Sequence, residues 1–597
     1  MNAVTIVIGS ICILMIAYRL YGTFIALKVL KLDDSKPTPA HKLEDGKDYV
    51  PTNKWVAFGH HFAAIAAAGP LVGPILAAQF GYLPSLLWLL IGAVIGGAVH
   101  DAVVLFASMR KDGKSLSEVA KEELGPVAGF CTGLAMLFII TITMAGLSMV
   151  VLHALENNPW GTFAVGITIP IAMGVGLYHK KTGNLKGATI VGFGLIMAAI
   201  LLGPNIQGTA LGDLLTLEAS TLAIILPIYA FFAAALPVWL LLAPRDYLST
   251  FMKIGVFAAL IIGVFVVNPE IQFPAFTEFI NGGGPIVAGP VWPFISITIA
   301  CGAISGFHAF VGSGTTPKML NPWSDIKSVG FGAMLVECVV AIMALIAAVS
   351  LQPGDYFAIN STPEVFQTLG METVHLDELS EEIGINLEGR TGGAVTLAVG
   401  MTYIFTEIPF FDKLASFFFQ FVIMFEAVFI LTAIDSGTRV ARYLIQDFFG
   451  EFYKPLKRVD WLPGNIFASA LACFIWGYLL YSGDIGSIWA LFGVSNQLMA
   501  SIGLIIGATV VLKIADKRWY IWTCLVPLAY LYVTVNVAGY WMVKNVYLNP
   551  DSAGFSILNG ILSITMLILG LIILVAALKK WRELWKIPQA ELLKRSA

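Results

Sequence analysis

The chain has 597 residues, 58% of them hydrophobic and only 12% charged, with a formal net charge of -3. Soluble globular domains carry about 25% charged residues, so this composition excludes an ordinary water-soluble enzyme, and the slight acidity argues against a nucleic-acid partner. A helix crossing about 30 Å of hydrocarbon needs about 20 mostly apolar residues, so the length predicts one polytopic bundle whose solvent is the lipid bilayer.

Apolar runs follow one another at 4–27, 58–80, 85–108, 126–152, 160–178, 187–204, 220–243, 250–267, 291–312, 329–351, 394–434, 465–481, 486–512, 519–543 and 556–578, about 15 transmembrane helices. The first lacks the positive leader and cleavage site of a removed signal peptide and is expected to stay as a helix. If each run crosses once, 31 of the 35 Lys and Arg residues fall on one face, in the gaps 28–54, 110–125, 179–187, 244–253, 313–328, 435–464 and 513–518 and the tail 579–597. The opposite gaps hold only Arg390 and Lys544, while Arg19 and Lys413 lie within runs. Positive loops stay cytoplasmic, which predicts an outside N-terminus and a cytoplasmic C-terminus. The run 394–434 is too long for one span and is interrupted by Thr406-Glu407-Ile408-Pro409, so it reads as one crossing plus a half-helix or re-entrant stretch.

The second run contains Gly69-Pro70 and Gly73-Pro74. Breaks of this kind in a spanning helix free carbonyls and half-helix ends, which in transporters hold ions and substrate groups near the midplane. Five runs later, Pro237 interrupts the seventh run, in the opposite orientation. That offset suggests an inverted repeat of five helices plus five, with one half at 55–219 and the other at 220–438. They would be flanked by an N-terminal helix and loop at 1–54 and a four-helix extension with tail at 439–597. In the ninth run, Ser305, Ser313, Thr315 and Thr316 lie among glycines, a pattern that offers oxygen ligands to a monovalent cation or a carboxylate, or else serves as packing glue between helices.

Ionisable residues within spans are costly and mark function. His100-Asp101, Glu337 and Glu426 are the candidates for proton coupling, with Asp101 and Glu337 in the cytoplasmic third of their helices and Glu426 deepest. Arg245, Asp246, Asp435 and Arg439 lie at predicted inner helix ends and form a candidate gate. Asn496-Gln497, inside the thirteenth run, reads as hydrogen-bonding glue between helices.

Five stretches in order give the chain a family resemblance: Phe58-Gly59-His60-His61 running into Gly73-Pro74, Leu236-Pro237-Val238-Trp239 through Arg245-Asp246-Tyr247, Ile304-Ser305-Gly306-Phe307-His308 through Lys318, Asp435-Ser436-Gly437-Thr438-Arg439, and Leu491-Phe492-Gly493 through Asn496-Gln497-Leu498. The chain resembles the carbon starvation protein A family of bacterial inner-membrane proteins. The resemblance implies a secondary transporter importing peptides under carbon limitation, or alternatively a proton-coupled symporter of pyruvate or another small carboxylate. The grouping of that family with amino-acid/polyamine/organocation transporters implies an all-α fold with a LeuT-type inverted-repeat core, one extra N-terminal helix and about four extra C-terminal helices. In that fold the first and eighth core helices hold a sodium site, which lands here on the Gly69 to Gly73 carbonyls and the Ser/Thr cluster of the ninth run. The candidate substrate and ion residues are His61, Gly69, Pro70, Gly73, Pro237, Ser305, His308, Ser313, Thr315 and Thr316, with proton or sodium as coupling ion.

Competing readings find less support. A channel predicts rings of charge or carbonyls, and the single charges here are asymmetric. An enzyme is not expected: no phosphate-binding G-x-x-x-x-G-K-[ST] loop and no H-E-x-x-H occurs, and the adjacent His60 and His61 face different sides of a helix. The six cysteines show no C-x-x-C spacing, so neither a metal framework nor disulfides nor a cofactor are expected. The sequence leaves the oligomeric state open.

Overall fold

The computed structural model describes the chain except residues 1, 47, 67, 183, 207, 237–241, 410, 451–452, 459–460, 484, 553 and 597. Among the described residues it is helical, with only two isolated β-bridges, Asn2 with Glu270 and Thr52 with Leu320. Eleven helices are long and apolar enough to cross a membrane, and the bent pair Lys54–Ile65 and Gly69–Phe80 makes a twelfth.

The other predicted spans are short or divided. Ala219–Ala235 has 17 residues. The run at 291–312 is cut into Val291–Thr298, Ala300–Ala303 and Phe307–Gly312. The long run at 394–434 becomes Ala394–Thr406 and, after a break, the 36-residue helix Ala415–Gly450. Among the described residues, 11 or 12 of about 15 expected spans are thus full-length apolar helices, and the others are short, divided or, in Leu242–Val267, interrupted by buried charge. Hydropathy averages over the Pro, Ser and Gly positions at which the backbone leaves the helix.

Local chemistry sets the ends. Gly125 has φ +110°, a value that favours glycine, and Pro126 follows as the first residue of Pro126–Leu155, where its missing N–H costs nothing. Ile485–Ile514 lies at the centre, with 94% of its apolar window buried, between Pro126–Leu155, Trp522–Met542 and Ile557–Lys586. Ala3–Val29 and Ile557–Lys586 bury a third of theirs and turn Leu, Ile and Val side chains outward, as lipid-facing helices do.

The connections sort to two faces. On one, Lys31 pairs with Asp516 at 2.7 Å, Lys42 with Asp112 at 2.7 Å, and the Val50 amide donates to the Lys318 carbonyl, so the gaps at 28–54, 110–125, 313–328 and 513–518 gather there. On the other, the Tyr82 amide donates to the Pro274 carbonyl, the Gln272 amide to Val349, and Arg390 to the Glu156 carbonyl. This is the sorting that the charge pattern predicts, with one correction. The gap at 244–253 is not a loop, because Leu242–Val267 is a single helix, and Arg245 and Lys253 are buried within the protein.

On the positive face, the short helix Leu116–Leu124 is held through Glu123, which pairs with Lys513 and, at 3.1 Å, with Lys111. Burial raises the Glu123 carboxyl, but the two ammonium groups outweigh it and hold it below the ordinary glutamate range. A carboxylate lowered on folding stabilises the fold above its unfolded pKa, about 4.3, and stops doing so as pH falls through its lower folded value. Glu123→Gln is expected to lower the thermal midpoint of the detergent-solubilised protein at pH 7, with the difference from wild type closing as pH falls below about 4. A difference constant across that range would show that the pair contributes nothing.

Candidate substrate and coupling site

The first broken helix divides after Ile65, where Ala66 leaves the helical region at ψ 57°, and the two halves are bent by 46°. The second half begins at Gly69, with Pro70 in its first turn, and continues through Gly73 and Pro74. The unwound backbone expected at Gly69–Gly73 therefore lies just before it. Proline serves here as a helix start, and only Pro74 stands inside a helix.

The two glycines do something else. A Cβ on Gly73 would stand 2.5 Å from the Thr298 carbonyl oxygen, and one on Gly69 would stand 2.4 Å from both Cβ and Sγ of Cys301. Gly73 lets the first broken helix cross the segmented stretch 291–312 with main chain against main chain, and Gly69 makes room for the Cys301 side chain. That stretch opens at Ile299, with ψ 55°, and again at Ile304, which is extended. Side chains of Ile485–Ile514 take up the groups freed there. Asn496 accepts from the Phe307 amide at 2.8 Å and exchanges hydrogen bonds with Ser305, and Gln497 donates to the Ser296 carbonyl at 2.5 Å. The pair read as glue between helices is thus glue to a broken backbone.

Beside this crossing, the buried titratable groups join in one chain. His100 Nδ1 lies 2.8 Å from one oxygen of Asp101 and His308 Nδ1 lies 2.8 Å from the other. His308 Nε2 faces Glu337 at 3.0 Å. An ionised Asp101 can only accept, so each imidazole donates its Nδ1–H to it and turns Nε2 away. Asp101 and Glu337, two of the proton-coupling candidates, share His308, and all four side chains are at most 2% exposed. Glu426 is equally buried but stands apart, with no hydrogen-bond partner for either oxygen.

The hydroxyl cluster of the ninth run separates. Ser305 lies at the break, whereas Ser313 donates to its own helix at Ala309. Thr316 bonds His61 at 2.8 Å, and the exposed Thr315 bonds His60 at 3.1 Å, which ties the first half-helix to the loop after Gly312. Pro237 lies outside the described residues, as does the side chain of Asp246. Of the expected gate, Tyr229 donates to Asp435 at 2.7 Å and bonds Arg245, which is 3.5 Å from Asp435 and buried with it. Arg439 takes a different part, donating to the carbonyls of Ala233 and Leu236 at the end of Ala219–Ala235.

Lys253 was invisible as a site residue because it counted as a loop charge. Its ammonium is buried, donates at 3.1 Å to the Ala63 carbonyl in the last turn before the break, and lies 3.8 Å from the Phe429 ring centre. Above the crossing, a cavity of about 830 Å³ opens toward the face that carries 268–290 and 352–393. The buried Leu76, Ile297, Thr298 and Trp489 line it beside the crossing, and no Asp, Glu, Lys or Arg is found among its described lining residues.

The sequence is similar to those of known membrane transporters. The model of the family described as carbon starvation protein CstA matches residues 2–538. The peptide transporter CstA of Bacillus subtilis is 83% identical over 98% of each chain. The peptide transporter CstA of Campylobacter jejuni is 48% identical over 90% of this chain and 80% of its own. The pyruvate/proton symporter BtsT of Escherichia coli is 43% identical over 93% and 83%. With a family match along nearly its whole length and relatives this similar, the chain belongs to the carbon starvation protein CstA family.

Proposed function

We propose that the chain is a secondary active importer of short peptides, working in a bacterial inner membrane under carbon starvation, with its positive face in the cytoplasm. The observation that carries this reading is the chain His100–Asp101–His308–Glu337 set against the crossing of two broken helices beside an open cavity. Discontinuous helices near the midplane, with a site between two halves that move against one another, are the apparatus of alternating access. An inverted repeat of the LeuT type remains part of this proposal. The cavity volume suits a ligand of several residues, and mostly apolar walls with scattered hydroxyl, amide and imidazole groups suit a zwitterionic peptide with apolar side chains. Relatives at 83% and 48% identity named as peptide transporters support the same substrate class.

We further propose the proton as coupling ion. The joined imidazoles and carboxylates give it a path through Asp101 and Glu337, and Lys253 already holds the carbonyl end of the first half-helix, where a sodium ion would otherwise sit. The Arg245–Tyr229–Asp435 group closes the inner side as a gate. A small carboxylate such as pyruvate is the second substrate reading, favoured by the 43% identical relative named a pyruvate/proton symporter.

In proteoliposomes, a short peptide is expected to accumulate when an inward proton gradient is imposed, and pyruvate to compete weakly. Accumulation of pyruvate alone would replace the first substrate reading by the second. Glu337→Gln is expected to cut gradient-driven accumulation by about 100-fold or more, the loss typical of a positioned proton-transfer group, while counterflow exchange persists. Glu426→Gln, equally buried but outside the chain, is expected to keep accumulation. The reverse outcome in the two variants would move the coupling site to Glu426.

Replacing sodium by choline at a fixed proton gradient is expected to leave the initial uptake rate unchanged. A strict sodium requirement would show that Lys253 does not fill the cation position.

A further inference from the structure

We infer that the crossing of the two broken helices also carries a site for one zinc-class divalent cation, formed by Cys301, His308 and Glu337. One ligand atom from each residue lies within 4.8 Å of the other two, and all three side chains are buried. The site goes beyond the transport reading and stands without it.

The donor atoms are already oriented. With the His308 Nδ1 proton on Asp101 at 2.8 Å, Nε2 presents a lone pair toward Glu337 Oε2 at 3.0 Å. Neither Nε2 nor either Glu337 oxygen has a hydrogen-bond partner. Two electron-rich atoms at that separation repel one another unless a positive charge lies between them, either the shared proton of the transport reading or a metal cation that takes its place. A carboxylate behind the far nitrogen of a metal-binding imidazole is the usual outer support of such a ligand, and Asp101 stands in that place.

The third donor is also prepared. The Cys301 sulfur lies 3.6 Å from the Asn496 amide, whose second N–H can donate to a thiolate, and 3.1 Å from the Ser305 hydroxyl, which can do so by turning from Asn496 Oδ1. A set of thiolate, imidazole and carboxylate is too soft for magnesium or calcium and suits zinc, whose fourth position is then open to water. Binding releases the thiol proton to solvent. Access runs from the cavity at Thr298, three residues before Cys301.

The separation of the sequence hides this site. Cys301 and His308 are seven apart across a helix break, and Glu337 comes from the next span, so no spacing signature connects them.

The test uses the purified full-length chain in detergent, stripped with chelator and titrated with cobalt(II) alone, then with zinc. One equivalent of cobalt is expected, with a thiolate-to-cobalt charge-transfer band that zinc displaces. Cys301→Ala is expected to abolish the band and Asp101→Asn to weaken affinity by about 10- to 100-fold. Cys473→Ala, a buried cysteine on Leu462–Ser482, is expected to retain it, and matching size-exclusion profiles show that all variants are folded. Absence of binding, or a band that survives Cys301→Ala, overturns the site. Uptake by the chelator-stripped protein, measured in parallel, reports on transport independently of either result.

Discussion

A peptide group left without a partner in hydrocarbon costs several kcal/mol, and that constraint governs the centre of this protein. Two helices are broken where no water is available to solvate them. The molecule meets the cost with side chains from elsewhere in the fold. Asn496 and Gln497 bond the second break, Lys253 bonds the end of the first half-helix, and the Tyr356 hydroxyl donates at 2.7 Å to the Ile75 carbonyl where the second half ends. Arg439 and Arg442 do the same for Ala219–Ala235, whose last carbonyls they hold. These polar residues thus have an architectural duty before they have a functional one.

The same economy explains why the titratable groups form a chain. A lone carboxylate or imidazole in this interior would be forced to its neutral form, whereas His100, Asp101, His308 and Glu337 share protons and charge among themselves. Such a network is bistable when one proton moves, and it abuts the place where the two broken helices touch. Proton position and helix position are therefore adjacent degrees of freedom.

Much of this was legible in the residues. Apolar runs and the distribution of Lys and Arg gave the membrane class and the sorting of loops, because both depend on sums over many residues. His100-Asp101 and Glu337 stood out since charge in a span is rare. What was not legible depends on single backbone positions or on contacts far apart in the chain. Gly69-Pro70 marked the neighbourhood of a break but not its side, since proline both ends helices and begins them. The break at Ile299–Ile304 has no proline within it. Lys253 was assigned to a loop because charge marks loops in a hydropathy reading, whereas the helix Leu242–Val267 already includes it. Cys301 had no neighbour in sequence to give it meaning.

The contact between Gly73 and Thr298 has a mechanical consequence. Main chain resting on main chain leaves no space for even a methyl group, so the two helices are held at their closest approach there. If the halves tilt against one another as the proposed transport requires, this contact is their natural pivot. Displacement at either end grows with distance from that point, and opening on one surface is geometrically tied to narrowing on the other.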